Sequence, residues 1–347
     1  MYVASEMSAP KKPDPPVVGK VTHHTIELLW DAAGHADSVD KGDGRLRFAV
    51  QEADRIQGWG NVYTGYATNN VFQGLEPNTL YKYRLRVFNN HGSSEFSRVV
   101  TVSTTKEPLT GDQLHKAVSL TQDVNRVAEI LESGDVWVDV PDTFGLSPLM
   151  QASQKGNIEM IETLLRYGAD VNAVNGSGKD SLMLACFAGH LPVVKLLRSY
   201  NASYVNRDKG GSTAMHWAVD GGNVALIQSL IADGASVSEK DWGSGWTPLL
   251  RCAAMAGDSS VARVLINAGA EVNIKDKDGK TPLMIASLNG HVSLVQLLVE
   301  KGADPTVRTE FGMSAVEMAH SFDRKRVMKY YAEILEKGKL KKGIACS

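Results

Sequence analysis

The chain has 347 residues, 43% of them hydrophobic, and a net charge of −2, which is material for two or three cored domains. The charge is unevenly spread: residues 1–107 hold 12 basic and 12 acidic side chains, residues 108–319 hold 17 and 24, and residues 320–347 hold 8 and 3. A body with that balance weakly repels nucleic acid, while the tail attracts acidic surfaces. Cys186, Cys252 and Cys346 lie far apart and are odd in number, which excludes a disulfide framework or a Cys-x-x-Cys metal site and points to a reducing compartment. The polar, proline- and lysine-bearing start has no apolar signal region, and no run of about 18 apolar residues is present to span a bilayer. The expectation is a soluble intracellular protein. Asn175-Gly-Ser177 and Asn201-Ala-Ser203 fit a glycosylation sequon that such a protein does not use.

Residues 1–9 read as a polar tail, and Pro10 to Pro16 as an extended lead-in too rich in proline for a helix. Short stretches of period two follow at 25–30, 47–52, 60–65 and 81–87. In the last, Tyr81, Tyr83, Leu85 and Val87 share one face, while Lys82, Arg84 and Arg86 are expected to face water. A final strand is expected from Val99 to Thr104. Short alternating strands at this spacing predict an all-β antiparallel sandwich over residues 10–105.

Two further features carry a resemblance: Gly74-Leu-Glu-Pro-Asn-Thr79 before Tyr81, and Asn89-Asn-His-Gly-Ser-Ser94 followed by Ser97. With them the segment resembles a fibronectin type III module. The resemblance implies that Trp30 packs in the core and that the Tyr81 hydroxyl reaches back to backbone at a corner. No Arg-Gly-Asp triplet is present, which removes the best-known adhesive use of that module.

Residues 106–111 form a linker too short for a flexible tether. Beyond it, Gly145, Gly178, Gly211, Gly245, Gly279 and Gly312 recur every 33 or 34 residues, each opening a stretch such as Gly145-Leu-Ser-Pro-Leu149. About 23 residues later comes a second marker: Gly168-Ala169, Asn201-Ala202, Gly234-Ala235, Gly269-Ala270 and Gly302-Ala303. This period and signature resemble the ankyrin repeat, a pair of antiparallel helices and a β-turn per unit. An all-α solenoid of about six units is expected over 112–319, the first degenerate (114–118 and 127–134) and the last partial. Residues 320–347 are expected to form a basic cap and tail.

Within a unit, Thr or Ser before Pro caps the first helix. Ala152, Ala185, Ala218 and Ala286 let helices approach closely. Leu164-Leu165, Leu196-Leu197, Leu265-Ile266 and Leu297-Leu298 bury the second helix. Gly168, Gly234, Gly269 and Gly302, with Asn201 as substitute, end it in the left-handed conformation. The extra residue in the unit that opens at Gly245 is expected to bulge its first helix near Cys252–Met255. One β-sandwich module, an ankyrin array and a basic tail, in that order, resemble the proteins that combine fibronectin type III and ankyrin repeat domains. That resemblance implies a non-enzymatic adaptor of nucleus and cytosol, linked to transcriptional control in germ cells.

Other motifs fail on spacing. A P-loop ending at Gly279-Lys-Thr281 would need its first glycine at Ile274, and a calcium loop around Asp276 would need ligands at Ile274 and Ile285. His190, His216 and His291 fall on repeat positions and lack metal spacing. No Gly-x-Ser-x-Gly elbow or His-Glu-x-x-His pair occurs. No catalytic, cofactor-binding or metal residue is therefore expected.

Candidate binding residues are those that break the repeat pattern where side chains face outward. Phe187, Met255 and Leu288 end the first helices of three units on the concave side, and Trp242 and Trp246 sit at the turn between the fourth and fifth units. Aromatic anchors at such places suit protein recognition. Arg324-Lys325-Arg326 and, further on, Lys341-Lys342 form a candidate nuclear import signal. The plain alternative is a solvated helix end, where cations complement a C-terminal dipole. The expected protein is monomeric and binds folded protein partners. It takes no small-molecule substrate and inserts in no membrane, and only the tail could meet nucleic acid. Two rival readings are a transcription cofactor whose tail touches chromatin, and a cytoskeletal or membrane-associated scaffold.

Overall fold

The computed structural model describes residues 9–31, 45–54 and 58–336, which divide between Pro108 and Leu109 into two compact units. The tail lysines Lys341 and Lys342, Cys346 and nearly all of the polar N-terminal segment lie outside the described residues.

The first unit holds β1 (Val17–Val21), β2 (Thr25–Leu29), β3 (Arg47–Asp54), β4 (Gly58–Gly65), β5 (Asn69–Gln73), β6 (Leu80–Asn89), β7 (Gly92–Ser93) and β8 (Val100–Ser103). They form two antiparallel sheets, one ordered β1-β2-β5 and the other β4-β3-β6-β7 with β8 also on β6. The period-two faces explain the core: Ile26, Leu28, Phe48, Val50, Tyr83, Leu85 and Val87 are buried together with Trp30. Trp30 donates Nε1–H to the Ala67 carbonyl (3.0 Å), and the Tyr81 hydroxyl accepts the Glu76 amide (2.8 Å). The outer face departs from expectation. Arg84 does not simply face water: its guanidinium lies 4.1 Å from the Trp59 ring and 3.9 Å from that of Phe96, and Arg86 lies 3.9 Å from Phe96. Cation–π contact keeps these cations on the sheet surface.

The second unit contains seven helix pairs among its described residues. They are α1 (Gly111–Lys116) with α2 (Val124–Glu132), α3 (Pro148–Lys155) with α4 (Ile158–Arg166), and α5 (Ser181–Ala188) with α6 (Leu191–Ser199). Next come α7 (Ala214–Gly221) with α8 (Val224–Ala232), and α9 (Pro248–Ala254) with α10 (Ser259–Asn267). The last are α11 (Pro282–Asn289) with α12 (Val292–Glu300), and α13 (Ala315–Ser321) with α14 (Lys325–Glu336). A π-helical turn, Ala117–Thr121, extends α1.

Local chemistry sets these limits. Ser147, Thr247 and Thr281 accept amides of the first turns of α3, α9 and α11, and Pro148, Pro248 and Pro282 fill first-turn positions that need no donor. In α7 the cap is closed by His216, whose Nδ1 accepts the Thr213 amide (3.1 Å). Asn201 has φ +66° and Gly269 φ +95°, the left-handed geometry that ends α6 and α10. The four alanines are fully buried. Between α5 and α7 the approach is close, for a Cβ added at Gly221 would lie 2.2 Å from the Phe187 carbonyl oxygen.

Three expectations are corrected. The extra residue of the fifth unit does not bulge α9. The helix ends early at Ala254, and Met255 (φ −94°, ψ −103°) absorbs the residue in the following turn. The first and last units are each a complete helix pair, so the array shows seven pairs among the described residues where about six were expected. It also does not end near residue 319. Val327, Tyr331 and Ile334 of α14 are buried, and the Tyr331 hydroxyl lies 2.7 Å from Ser287 Oγ on α11. Their spacing of four and three residues makes α14 amphipathic, with its polar face closing the stack.

Candidate functional site: the groove and tips of the repeat array

Each connection from a second helix to the next first helix projects as a turn that begins with Asp or Asn, or with Thr309 in the last, and closes on the periodic glycine. Asp208 Oδ1 accepts the amides of Gly210 (2.9 Å) and Ser212 (2.8 Å). Asp276 Oδ1 accepts those of Asp278 (3.0 Å) and Lys280 (2.8 Å), and Asp241 Oδ1 those of Gly245 (2.8 Å) and Trp246 (3.1 Å). Neighbouring tips are joined in a row by Lys209 N to Ser177 O (2.9 Å), Trp242 N to Gly210 O (2.8 Å) and Lys277 N to Ser244 O (3.0 Å).

The structure separates the five candidate binding residues. Trp242 is 59% exposed yet tied through its backbone to both neighbouring tips. Its amide is bonded to Gly210, its carbonyl accepts Lys277 Nζ (2.6 Å), and its ring lies so near Gly211 that a Cβ there would meet Cγ at 2.5 Å. Phe187 is 47% exposed and stands edge-on to Trp217, with centroids 5.9 Å apart. Met255 is 58% exposed in the turn after α9. Trp246 and Leu288 are instead packed against the repeat core. Trp246 donates Nε1–H to Asp276 Oδ2 (3.2 Å), and the Leu288 carbonyl accepts Arg324 Nε (2.6 Å). Both hold repeats together, because each reaches across a unit boundary.

Sequence reasoning missed the centre of the groove. Trp217 donates Nε1–H to Asp208 Oδ2 (3.1 Å) and carries Lys179 Nζ 4.1 Å from its ring. Beside it, Arg251 of α9 clamps Asp220 of α7 through Nε (2.8 and 3.0 Å) and Nη2 (2.7 Å) and donates to Ser212 Oγ (2.9 Å). The Asp220 side chain is only 7% exposed. Phe144 and Phe311, each directly before a tip glycine, are also exposed. Their position was legible, since a large apolar residue ahead of that glycine breaks the polar habit of the turns.

Titratable groups are perturbed by burial rather than arranged for chemistry. Burial pushes His216 and His291 below the ordinary imidazole value. It raises the Asp180 carboxyl, which caps α5, and pushes the Cys252 thiol up to about 12. Cys186 is likewise raised by burial. Neither cysteine is a reactive thiolate. His190 Nε2 lies 3.1 Å from the Gln154 carbonyl and His216 Nε2 3.0 Å from that of Trp246, so both serve as inter-repeat ties. Among the described residues, no three His, Cys, Asp or Glu side chains cluster to hold a metal ion, and no helix is long and apolar enough to cross a membrane.

The basic cluster also divides. Arg324 is engaged with Leu288, whereas Lys325 and Arg326 are exposed in the first turn of α14. That is the opposite end from the one at which cations complement the dipole, so the plain helix-end explanation does not apply to these two residues. The Lys325–Asp323 pair (3.7 Å) is exposed and offsets little.

These paired helices, capped turns and joined tips define an ankyrin repeat protein. The profile described as Ankyrin repeats (3 copies) matches residues 114–208, 149–241 and 215–309. Among solved structures, the ankyrin repeat domain of Bcl-3 is similar with a TM-score of 0.55 and 25% identity, over 65% of this chain and 100% of that one. The human ASB11 ankyrin repeat domain gives a TM-score of 0.54 at 24% identity, over 62% and 96%. Over 281 residues the chain is 58% identical to the Mus musculus fibronectin type 3 and ankyrin repeat domains 1 protein and 56% identical to the Homo sapiens fibronectin type 3 and ankyrin repeat domains protein 1, covering 81% of each chain in both cases. The chain belongs to the family of fibronectin type 3 and ankyrin repeat domains proteins.

Proposed function

We propose that the chain is a non-enzymatic intracellular adaptor, whose repeat array binds a folded protein partner along its concave groove and tips. The observation that carries this reading is the pair Phe187 and Trp242: both are large and exposed, Phe187 set edge-on to Trp217 and Trp242 tied through its backbone to both neighbouring tips. An aromatic held in this way loses little entropy on binding and makes an efficient anchor. The Bcl-3 and ASB11 likenesses support the repeat fold, and ankyrin repeats are protein-interaction modules. On the family likeness and the Trp30 and Tyr81 geometry, we read residues 10–105 as a fibronectin type III module offering a second surface.

We further place the protein in nucleus and cytoplasm with a part in transcriptional control. Exposed Lys325 and Arg326, set against their helix dipole, support an import role. The test is affinity capture by the full chain and by its Phe187→Ala/Trp242→Ala variant, with quantified bound proteins. Loss of specific partners from the variant supports the reading, and identical profiles count against it.

A further inference from the structure

We infer that the tip row around Trp242 is built for an acidic, apolar-bearing segment of the partner. This deepens the adaptor reading and rests on it. Three observations carry it. The first is an insertion: the turn from Asp241 to its tip glycine Gly245 is one residue longer than each of the other turns, such as Asp276 to Gly279. The longer tip presents Trp242, held from both neighbouring tips as described.

The second is an asymmetry of charge. Of the tip carboxylates, Asp208, Asp241 and Asp276 are turned inward onto backbone amides, while exposed Asp278 is paired with Lys280 (2.8 Å) and Glu239 with Arg207. The ammonium groups of Lys209, Lys240, Lys275 and Lys277 are exposed. Among the described residues none of these four lysines pairs with a carboxylate. Lys240 and Lys277 anchor only on the carbonyls of Lys275 (3.2 Å) and Trp242 (2.6 Å). The third is contrast, because residues 108–319 are acidic in balance, with 24 acidic against 17 basic side chains. A local cationic rim on an acidic body is an address for a carboxylate-rich partner, steering it to the tips at low salt.

Nucleic acid fits less well. The body repels phosphates, and a single tip tryptophan gives no succession of stacking platforms for bases. A carboxylate-rich strand instead meets the lysines while one apolar side chain packs on the indole.

The test uses the intact chain and fluorescent peptides of about twelve residues, which when extended span roughly 40 Å, the reach of about four stacked repeats. One peptide combines glutamate with leucine; in its counterparts glutamine or lysine replaces glutamate. Anisotropy should show the glutamate peptide binding at least tenfold tighter than the glutamine one, weakening as salt is raised. Trp242→Ala should lower that affinity at least tenfold. Lys209→Glu/Lys275→Glu should reverse the preference towards the lysine peptide, with unchanged circular-dichroism melts showing that the array is intact. Equal binding of glutamate and glutamine peptides overturns the inference, as does indifference to these tip variants. Tighter binding of a thymidine oligonucleotide of matched charge also overturns it and assigns the tips to nucleic acid. If the tip variants leave the glutamate peptide bound while Phe187→Ala still strips partners from the chain, the acidic reading fails and the adaptor reading stands.

Discussion

Gly221→Ala sets two effects of opposite sign against each other at one exposed helix end. Replacing glycine by alanine inside a helix ordinarily stabilises by about 1 kcal/mol, by removing backbone freedom from the unfolded chain. Here the new Cβ would lie 2.2 Å from the Phe187 carbonyl oxygen and 3.1 Å from that of Cys186. Both obstacles are backbone, so no side chain can swing away. Ordinary contact needs about 3.4 Å, and α5 and α7 must therefore part by about 1 Å. That separation loosens the fully buried Ala185 and Ala218 in a region packed to near-crystalline density. Overpacking of this kind costs roughly 1–3 kcal/mol, and with backbone on both sides the upper end applies, so steric cost wins and the net loss should approach about 2 kcal/mol. The assay is urea unfolding, with amide exchange read in α5 and α7. A midpoint at or above that of the wild type would refute the reasoning, because it would mean that the two helices separate freely.

Arg251→Ala should cost about 3–5 kcal/mol, since it leaves the nearly buried Asp220 carboxylate without its cation; a loss below 1 kcal/mol in denaturant melts would contradict this. Gly269→Val should cost roughly 1–3 kcal/mol although space around the residue is open, because its φ of +95° is denied to a β-branched residue. Asn201→Gly should be nearly neutral, and amide exchange in α9 to α12 compared with α6 checks the pair. His216 and His291 have folded values below their unfolded ones, so the unfolded chain takes up protons first as pH falls through about 6.5. Stability is then fully present above that value and is lost below it; a melting temperature equal at about pH 7.5 and 5.5 would count against this. Lys325→Ala/Arg326→Ala should lower the nuclear fraction of a fluorescent fusion without altering its melt.

Where a residue's role follows from its own backbone, the sequence was transparent. Positive φ at Asn201 and the helix-ending glycines, proline in the first turns and the small inner alanines all follow from local sterics, so the solenoid could be read from its period. β1 and β5 escaped notice because each is short, and β5 begins with two asparagines of low strand propensity. The array's end was misplaced because Val327, Tyr331 and Ile334 bury a face without repeating the leucine pair or the Gly-Ala marker. Removing residues from 323 onward would therefore strip α14 from the stack, which makes point substitutions the sounder test of import.

Site residues were legible only where exposure follows from position. Trp242 and Phe187 stand at a tip and a helix end, whereas Trp246 and Leu288 look equivalent in sequence. Their burial depends on partners about thirty residues away along the chain, at Asp276 and Arg324, and no local pattern reports these. A similar distance hid Trp217, whose ring meets Lys179 from the unit before and Arg251 from the unit after.

The central claim is that Phe187 and Trp242 bind rather than fold. It is tested most directly by measuring the stability and the partner affinity of Phe187→Ala/Trp242→Ala in the same full-length preparation. The account predicts a stability change below about 1 kcal/mol, as for surface sites, and an affinity loss of about 2 kcal/mol or more for a partner retained by the wild type. Unfolding of the array by several kcal/mol with affinity lost only in proportion would contradict it, and so would an affinity left unchanged.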